Sequence, residues 1–315
     1  MLGRKKRSRP PLRGESRKET EEARIADRRR NSLAQDDLDE YLQHFLTSLS
    51  VQQYAGRDLV VSTLNIAKLS EQKLTLLIRY MELFHVDILC LQDVRLFTAE
   101  ATRLKKRAAA LMGPGSVVKV SILTPHADPE ALRQSNRVGG QLILIRPRWG
   151  RRCVSSWTDD TGLGLVMGVI FHHNSYCIQL VSTYWPIQNA DLLLDTLWAR
   201  AQSWMGRNKI NGSPLAHIQH MIKCKLHNFT AQQRSINILA GDLNASRTNT
   251  GGTHKHLREW LEEAVLVSGI TEEEEAETHT RWSGADTPTG HIDHVLFSPL
   301  HGLFHHITAI HICES

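Results

Sequence analysis

Residues Ile236–Ser246 read INILAGDLNAS. Ile238, Leu239 and Ala240 form a short apolar run, as a buried strand does. Gly241 follows and permits a close or unusual backbone turn. Asp242 and Asn244 stand two residues apart, so in extended chain both project to one face. A carboxylate and an amide delivered together from the end of a buried strand suit a phosphate or a metal ion. Asp and Asn also favour strand ends for turn-forming reasons alone. The weight of this stretch therefore depends on what the other strands deliver.

Working outward, several apolar runs end in comparable residues. Val60-Val61-Ser62-Thr63-Leu64 delivers Asn65, an amide able to hold water without adding charge. Ile88-Leu89-Cys90-Leu91-Gln92 delivers Asp93, a natural ligand for a hard cation. The run YCIQLVSTYWP delivers Tyr184, whose phenol can donate to a phosphate oxygen. A last run carries Asp293-His294 after Gly290-His291-Ile292. Each has an innocent alternative: Tyr184, for example, also reads as a core ring with its hydroxyl at the surface. The ordered coincidence favours a site.

The runs LVVSTLNIA, VDILCLQDV, GGQLILIRP, GLVMGVIFH, YCIQLVSTYWP, INILAGDLN and HIDHVLFSP read as strands. Helical patterns lie between some of them: LSEQKLTLLIRYMELF, DLLLDTLWARAQSWM and THKHLREWLEEAVLVSG. This mixture predicts an α/β sandwich with mixed sheets. Residues 1–34 carry 12 Lys+Arg against 5 Asp+Glu, which leaves 26 against 28 for the rest. The basicity is thus a property of a polar tail. That tail, with Arg4-Lys5-Lys6-Arg7, reads either as a solvated leader or as a nuclear-import or phosphate-backbone patch. Residues 35–56 read as an amphipathic helix and linker, with Leu38, Tyr41, Leu42, Phe45 and Leu46 at helical spacing. Glu272–Glu275 reads as a solvated loop. Five dispersed cysteines without a CxxC pair read as free thiols. No apolar run reaches membrane-span length, and no secretory signal is visible, so the expected compartment is nuclear or cytoplasmic.

Asn65 in TLNIAKLS, Asp93 in DILCLQDVRL, Tyr184 in STYWP, Asp242 and Asn244 in LAGDLNAS, and Asp293 in HIDHVLFS resemble, in this order, the endonuclease/exonuclease/phosphatase superfamily. Its members include abasic-site endonucleases, deoxyribonuclease-I-like nucleases, inositol polyphosphate phosphatases and endonuclease domains of non-LTR retrotransposons. Trp282 in THTRWSG resembles the aromatic often found upstream of the final aspartate motif. The resemblance covers residues 57–315 and implies a four-layer α/β sandwich of two mixed, mainly antiparallel sheets flanked by helices. It implies hydrolysis of phosphate esters with Mg²⁺ or Mn²⁺. Asp93 would be the principal metal ligand with Asn65 beside it. Asp242 would position or deprotonate the attacking water, and Asn244 would hold the phosphate. Tyr184 would donate to charge developing in the transition state. Asp293 would orient an imidazole.

Two departures qualify these expectations. The family usually has Glu where this chain has Asp93, one methylene shorter. The family's Ser-Asp-His signature lies beyond the aspartate that IDHVL matches, and only 22 residues follow Asp293. The expectation is a domain without its final strand and loop, and a weak or inactive nuclease unless His301, His305, His306 or His311 substitutes. The partner expected is DNA, not membrane, with a reverse transcriptase region in a longer parent chain. Arg146, Arg148, Arg151 and Arg152 (RPRWGRR) are candidate nucleic-acid contacts, and Trp149 among them reads as a hairpin-tip ring packing on the sheet, with base stacking as the alternative. Arg103–Arg107 offers similar charge, though Lys and Arg also suit a helix. Two other readings stay open: a degenerate nucleic-acid-binding protein that does not cleave, and a phosphatase of a small phosphoester such as an inositol phosphate.

Overall fold

Ile88, Leu89, Cys90 and Leu91 are consecutive and all buried, yet they enter two different cores. Leu89 and Leu91 pack with the helix residues Leu74, Ile78, Met81 and Leu104. Ile88 and Cys90 pack with Met167, Val169, Phe171 and Leu180 of a second sheet. Period-two alternation on a strand covered on both faces produces this division.

The computed structural model describes residues 59–124, 138–188, 196–231, 234–247, 252–268, 281–283, 287–290 and 293–298. The chain divides at Ala55/Gly56 into two units, and all described residues belong to the second. The basic tail, the helix expected at 35–56, Glu272–Glu275 and the histidines beyond Leu300 lie outside the described residues. So does the side chain of Trp282.

In chain order the elements are β1 (Val61–Asn65), α1 (Glu71–Leu83), β2 (Ile88–Gln92), α2 (Thr98–Met112), β3 (Val117–Ser121), β4 (Gln141–Ile145) and the short α3 (Pro147–Gly150). Next come β5 (Cys153–Thr158), β6 (Val166–His173), β7 (Tyr176–Tyr184), α4 (Leu197–Arg207), α5 (Pro214–Thr230) and β8 (Ser235–Asp242). The last are α6 (Gly252–Ala264), β9 (Val267–Ser268), β10 (Arg281–Ser283), β11 (Thr287–Gly290) and β12 (Asp293–Phe297).

One sheet has order β1-β2-β4-β3, a second β5-β6-β7-β8-β12-β9, and β10-β11 form a separate pair. β1–β2 and β7–β8 are parallel, and the other pairs are antiparallel. α1 and α2 cover the outer face of the first sheet. On the outer face of the second, Val181, Leu239 and Leu296 pack with Trp204, Ile218, Ile222 and Trp260 of α4–α6. The expected four-layer sandwich is therefore the observed one. Capping fixes helix starts: Ser70, Thr196 and Ser213 each accept a backbone N–H three residues on.

Three features depart from the sequence reading. β3, β5, α2 and α5 arise where no element was expected. The expected helix at Asp191–Met205 begins at Leu197 among the described residues, with Thr196 as its cap. The RPRWGRR stretch is no hairpin tip, because β4 and β5 belong to different sheets. Trp149 within it is 1% exposed and meets Phe171 edge-on, so it has no face to offer a base.

A buried polar ladder joins the two sheets. Gln92 Nε2 donates to Ser182 Oγ at 3.1 Å, and Ser182 Oγ donates to Gln141 Oε1 at 2.5 Å. Thr63 Oγ1 donates to Gln92 Oε1 at 3.1 Å. Mutual satisfaction makes these buried amides tolerable and fixes β2 and β4 against β7. Among the described residues, no helix is long and apolar enough to cross a membrane.

Candidate active site at the strand ends

Parallel pairing of β1 with β2 sets Asn65 beside Gln92, immediately before Asp93. Parallel pairing of β7 with β8 sets Tyr184 beside Asp242, and antiparallel β12 sets Asp293 opposite Asp242. All these residues therefore lie at one end of the strands. The two sheets meet there: Asn65 Nδ2 donates to Asp242 Oδ2 at 2.7 Å. Asp93, Asp242, Asn65 and Arg95 all act on the Tyr184 phenol. Burial, then the charges of Asp93 and Asp242, push the phenol well above its ordinary range. It is held as a neutral O–H, a donor throughout the neutral range.

Each carboxylate is fixed locally. Asp242 Oδ1 accepts the backbone N–H of Asn244 at 2.8 Å, closing a turn in which Asn244 is left-handed, with φ +47°. The Asn244 side-chain amide donates to Trp185 O at 2.6 Å, and Trp185 N donates to Asp242 O at 2.9 Å. This ties the β7 exit to the β8 exit. Close approach of those strands requires Gly241, since a Cβ there would lie inside contact distance of Thr183 O. Asp293 and Asp242 are direct cross-strand partners, a like-charge pairing that costs stability and marks a site. On the opposite face of β12, His294 is buried with Nε2 2.7 Å from Ala245 O.

Asp93 directly follows β2 with φ +53°, and Arg95 repeats the left-handed turn at +52°. Asp93 Oδ1 accepts Gly139 N at 2.8 Å. Its Oδ2 accepts Arg95 Nε at 2.9 Å and Nη2 at 2.5 Å. The side chains of Asp93 and Arg95 are 4% and 41% exposed, so the pair runs from a buried carboxylate to a partly exposed guanidinium. Lys73 donates to Ile66 O at 3.2 Å; its ammonium is pushed down by burial and then by the charges of Lys68 and Arg95. Lys68 and Arg95 thus lie near Lys73, and of the three Arg95 is the one paired with Asp93.

As placed, these residues do not fit a divalent cation. Asn65 Oδ1 accepts Ala67 N at 3.1 Å, and both Asp93 oxygens are engaged, one by a guanidinium. Among the described residues no group of three or more His, Cys, Asp or Glu side chains is placed to hold a metal. The Cys90 thiol beneath the site offers no alternative ligand, since burial pushes it up to about 12.

Arg146, Arg148, Arg151 and Arg152 are not at this end. β4 runs away from the site, with Gln141 opposite Gln92 and Ile145 opposite Ile88. Arg146 N donates to Asp87 O, and Arg152 lies 5.0 Å over the Trp149 ring. The four arginines are separated from Asp93 by the length of the strand, about 13 Å. Conversely, sequence reading passed over Arg95 and Gly139. Arg95 was signalled only by being a cation two residues after an aspartate. Gly139-Gly140 was signalled by its doubled glycine, which here adopts φ +70° and +84°.

The Endonuclease/Exonuclease/phosphatase family model matches residues 62–308. Similar solved structures include the AP endonuclease LMAP from Leishmania major, at 14% identity and TM-score 0.52, covering 79% of this chain and 83% of that one. The Xenopus laevis APE2 catalytic domain matches at 13% identity and TM-score 0.51, covering 76% and 82%. The endonuclease domain of TRAS1, a telomere-specific non-LTR retrotransposon, matches at 14% identity and TM-score 0.47, covering 76% and 85%. No curated protein sequence gives a significant match. With its family match spanning most of the chain, and with its sandwich fold and strand-end cluster, this protein belongs to the Endonuclease/Exonuclease/phosphatase family.

Proposed function

We propose that this protein is a phosphodiester hydrolase acting on DNA. One observation carries the reading: Asn65, Asp93, Tyr184 and Asp242, drawn from both sheets, end at one edge, where Asn65 donates to Asp242 across the sheets. Phosphoryl transfer needs little covalent chemistry from a protein and much positioning and charge stabilisation. Asp242, fixed by Asn65 and by the Asn244 amide, is a base able to orient a water and take its proton. Tyr184 donates to oxygen that gains negative charge as the ester opens. Asn244 holds the turn, and its side-chain amide has a second N–H to donate to a phosphate oxygen. Asp293, beside Asp242, orients a proton-carrying partner. The similarity to the AP endonuclease LMAP and to the APE2 catalytic domain supports DNA as the substrate. Members of this family are generally divalent-metal dependent. The Arg4–Arg7 cluster suits nuclear import.

Supercoiled plasmid incubated with the full chain and Mg²⁺ tests the reading. Nicking that Asp242→Ala abolishes is the expected result. Absence of nicking across a range of Mg²⁺ and Mn²⁺ concentrations would refute it. Retained plasmid binding in that case would favour binding without cleavage, a reading supported by the guanidinium already seated on Asp93.

A further inference from the structure

We propose that Arg95 is the resident cation of this site, and that a divalent ion reaches Asp93 only by displacing it. The inference rests on the reading of these strand ends as a phosphoester site. It starts from the length of the side chain. Asp93 is left-handed, and its side chain is one methylene shorter than that of Glu. Its Oδ1 meets the Gly139 amide and its Oδ2 meets both Nε and Nη2 of Arg95. Loop 93–95 is itself pinned: Val94 N donates to Gly140 O at 3.2 Å, and Arg95 N donates to Gly139 O at 3.0 Å. The two residues are therefore presented to each other by backbone hydrogen bonds, not by chance rotamers on a mobile segment.

A guanidinium on a buried carboxylate is a strong, charge-assisted competitor for the same oxygens. It also leaves donors over. Two of its five N–H groups are directed at Asp93, and the partly exposed head has the rest for an incoming phosphate oxygen. Its charge also acts on the Tyr184 phenol. Lys68 and Lys73 add positive charge on the same side. Arg95 thus does two things: it weakens divalent-metal binding, and it holds phosphate without metal.

Calorimetry on the full chain separates these effects, with Mn²⁺ alone and, in the presence of a chelator, inorganic phosphate alone as probes. Arg95→Gln is expected to tighten Mn²⁺ binding about tenfold or more and to weaken metal-free phosphate binding by a similar factor. Arg95→Lys, which keeps charge without the fork, is expected to fall between, and serves if the glutamine variant does not fold. Asp93→Asn together with Arg95→Gln is expected to abolish the Mn²⁺ gain. Unchanged or weaker Mn²⁺ binding in the Arg95 variants would overturn the inference, as would phosphate binding by the wild type that requires Mn²⁺. Plasmid nicking with unaltered Mn²⁺ affinity would remove Arg95 and leave the hydrolase. The expected calorimetry without nicking would do the reverse.

Discussion

Asn65 and Asp242 lie 177 residues apart in the chain and are joined by an amide-to-carboxylate hydrogen bond of 2.7 Å. The bond crosses from the first sheet to the second at the site end of both. Removing the donor leaves a buried carboxylate short of a partner. Asn65→Ala is expected to destabilise the fold by about 1–3 kcal/mol and to reduce plasmid nicking by about 10²-fold. Urea unfolding and single-turnover nicking measure the two separately. An unchanged rate would mean that Asn65 does not orient Asp242.

Tyr184 gives a pH-dependent signature. Its phenol is pushed above the ordinary range in the folded protein, first by burial and then by Asp93 and Asp242. Below the unfolded value, near pH 10, both states are protonated and the stability is fully present. As pH rises further, the unfolded chain ionises first, so stability falls. The wild type should therefore lose melting temperature between about pH 9 and 11 more steeply than Tyr184→Phe does. At neutral pH the same variant should nick about 10–10²-fold more slowly, having lost one donor to the developing charge. Parallel pH profiles for the two proteins would contradict this account of the phenol.

Ser182 is the hinge of the buried ladder beneath the site. Ser182→Ala strands the Gln92 amide and the Gln141 carbonyl oxygen away from water. A loss of about 1–3 kcal/mol for each stranded group is expected in urea unfolding. A loss under about 0.5 kcal/mol would mean that the glutamines find other partners.

The basic stretch after β4 should behave independently of the chemistry. Arg148→Ala and Arg151→Ala are at the opposite strand end from Asp93, so cleavage of a short oligonucleotide should be unchanged within about twofold. Affinity for a long duplex measured against salt is the complementary reading. Each lost phosphate contact lowers the slope by about one.

Much of this architecture is legible in the sequence because it follows from periodicity. Runs such as ILCLQ and INILAG carry enough consecutive apolar residues to be read as strands buried on both faces. β5 was not legible, since CVSSWT is a largely exposed edge strand held by its neighbour β6. α5 was missed although Ser213-Pro214 is a good helix start.

The sequence alone determined the sandwich and the polar residue that ends each key strand, because burial patterns and turn chemistry are local properties. Tertiary structure decided which of those ends coincide. Strand direction and register bring Asn65, Asp93, Tyr184, Asp242 and Asp293 to one edge. The same register carries Arg146–Arg152 to the other. It also decided that Asp93 faces a guanidinium and a glycine amide, because hydrogen bonds between segments distant in the chain, not spacing along it, set what a carboxylate meets.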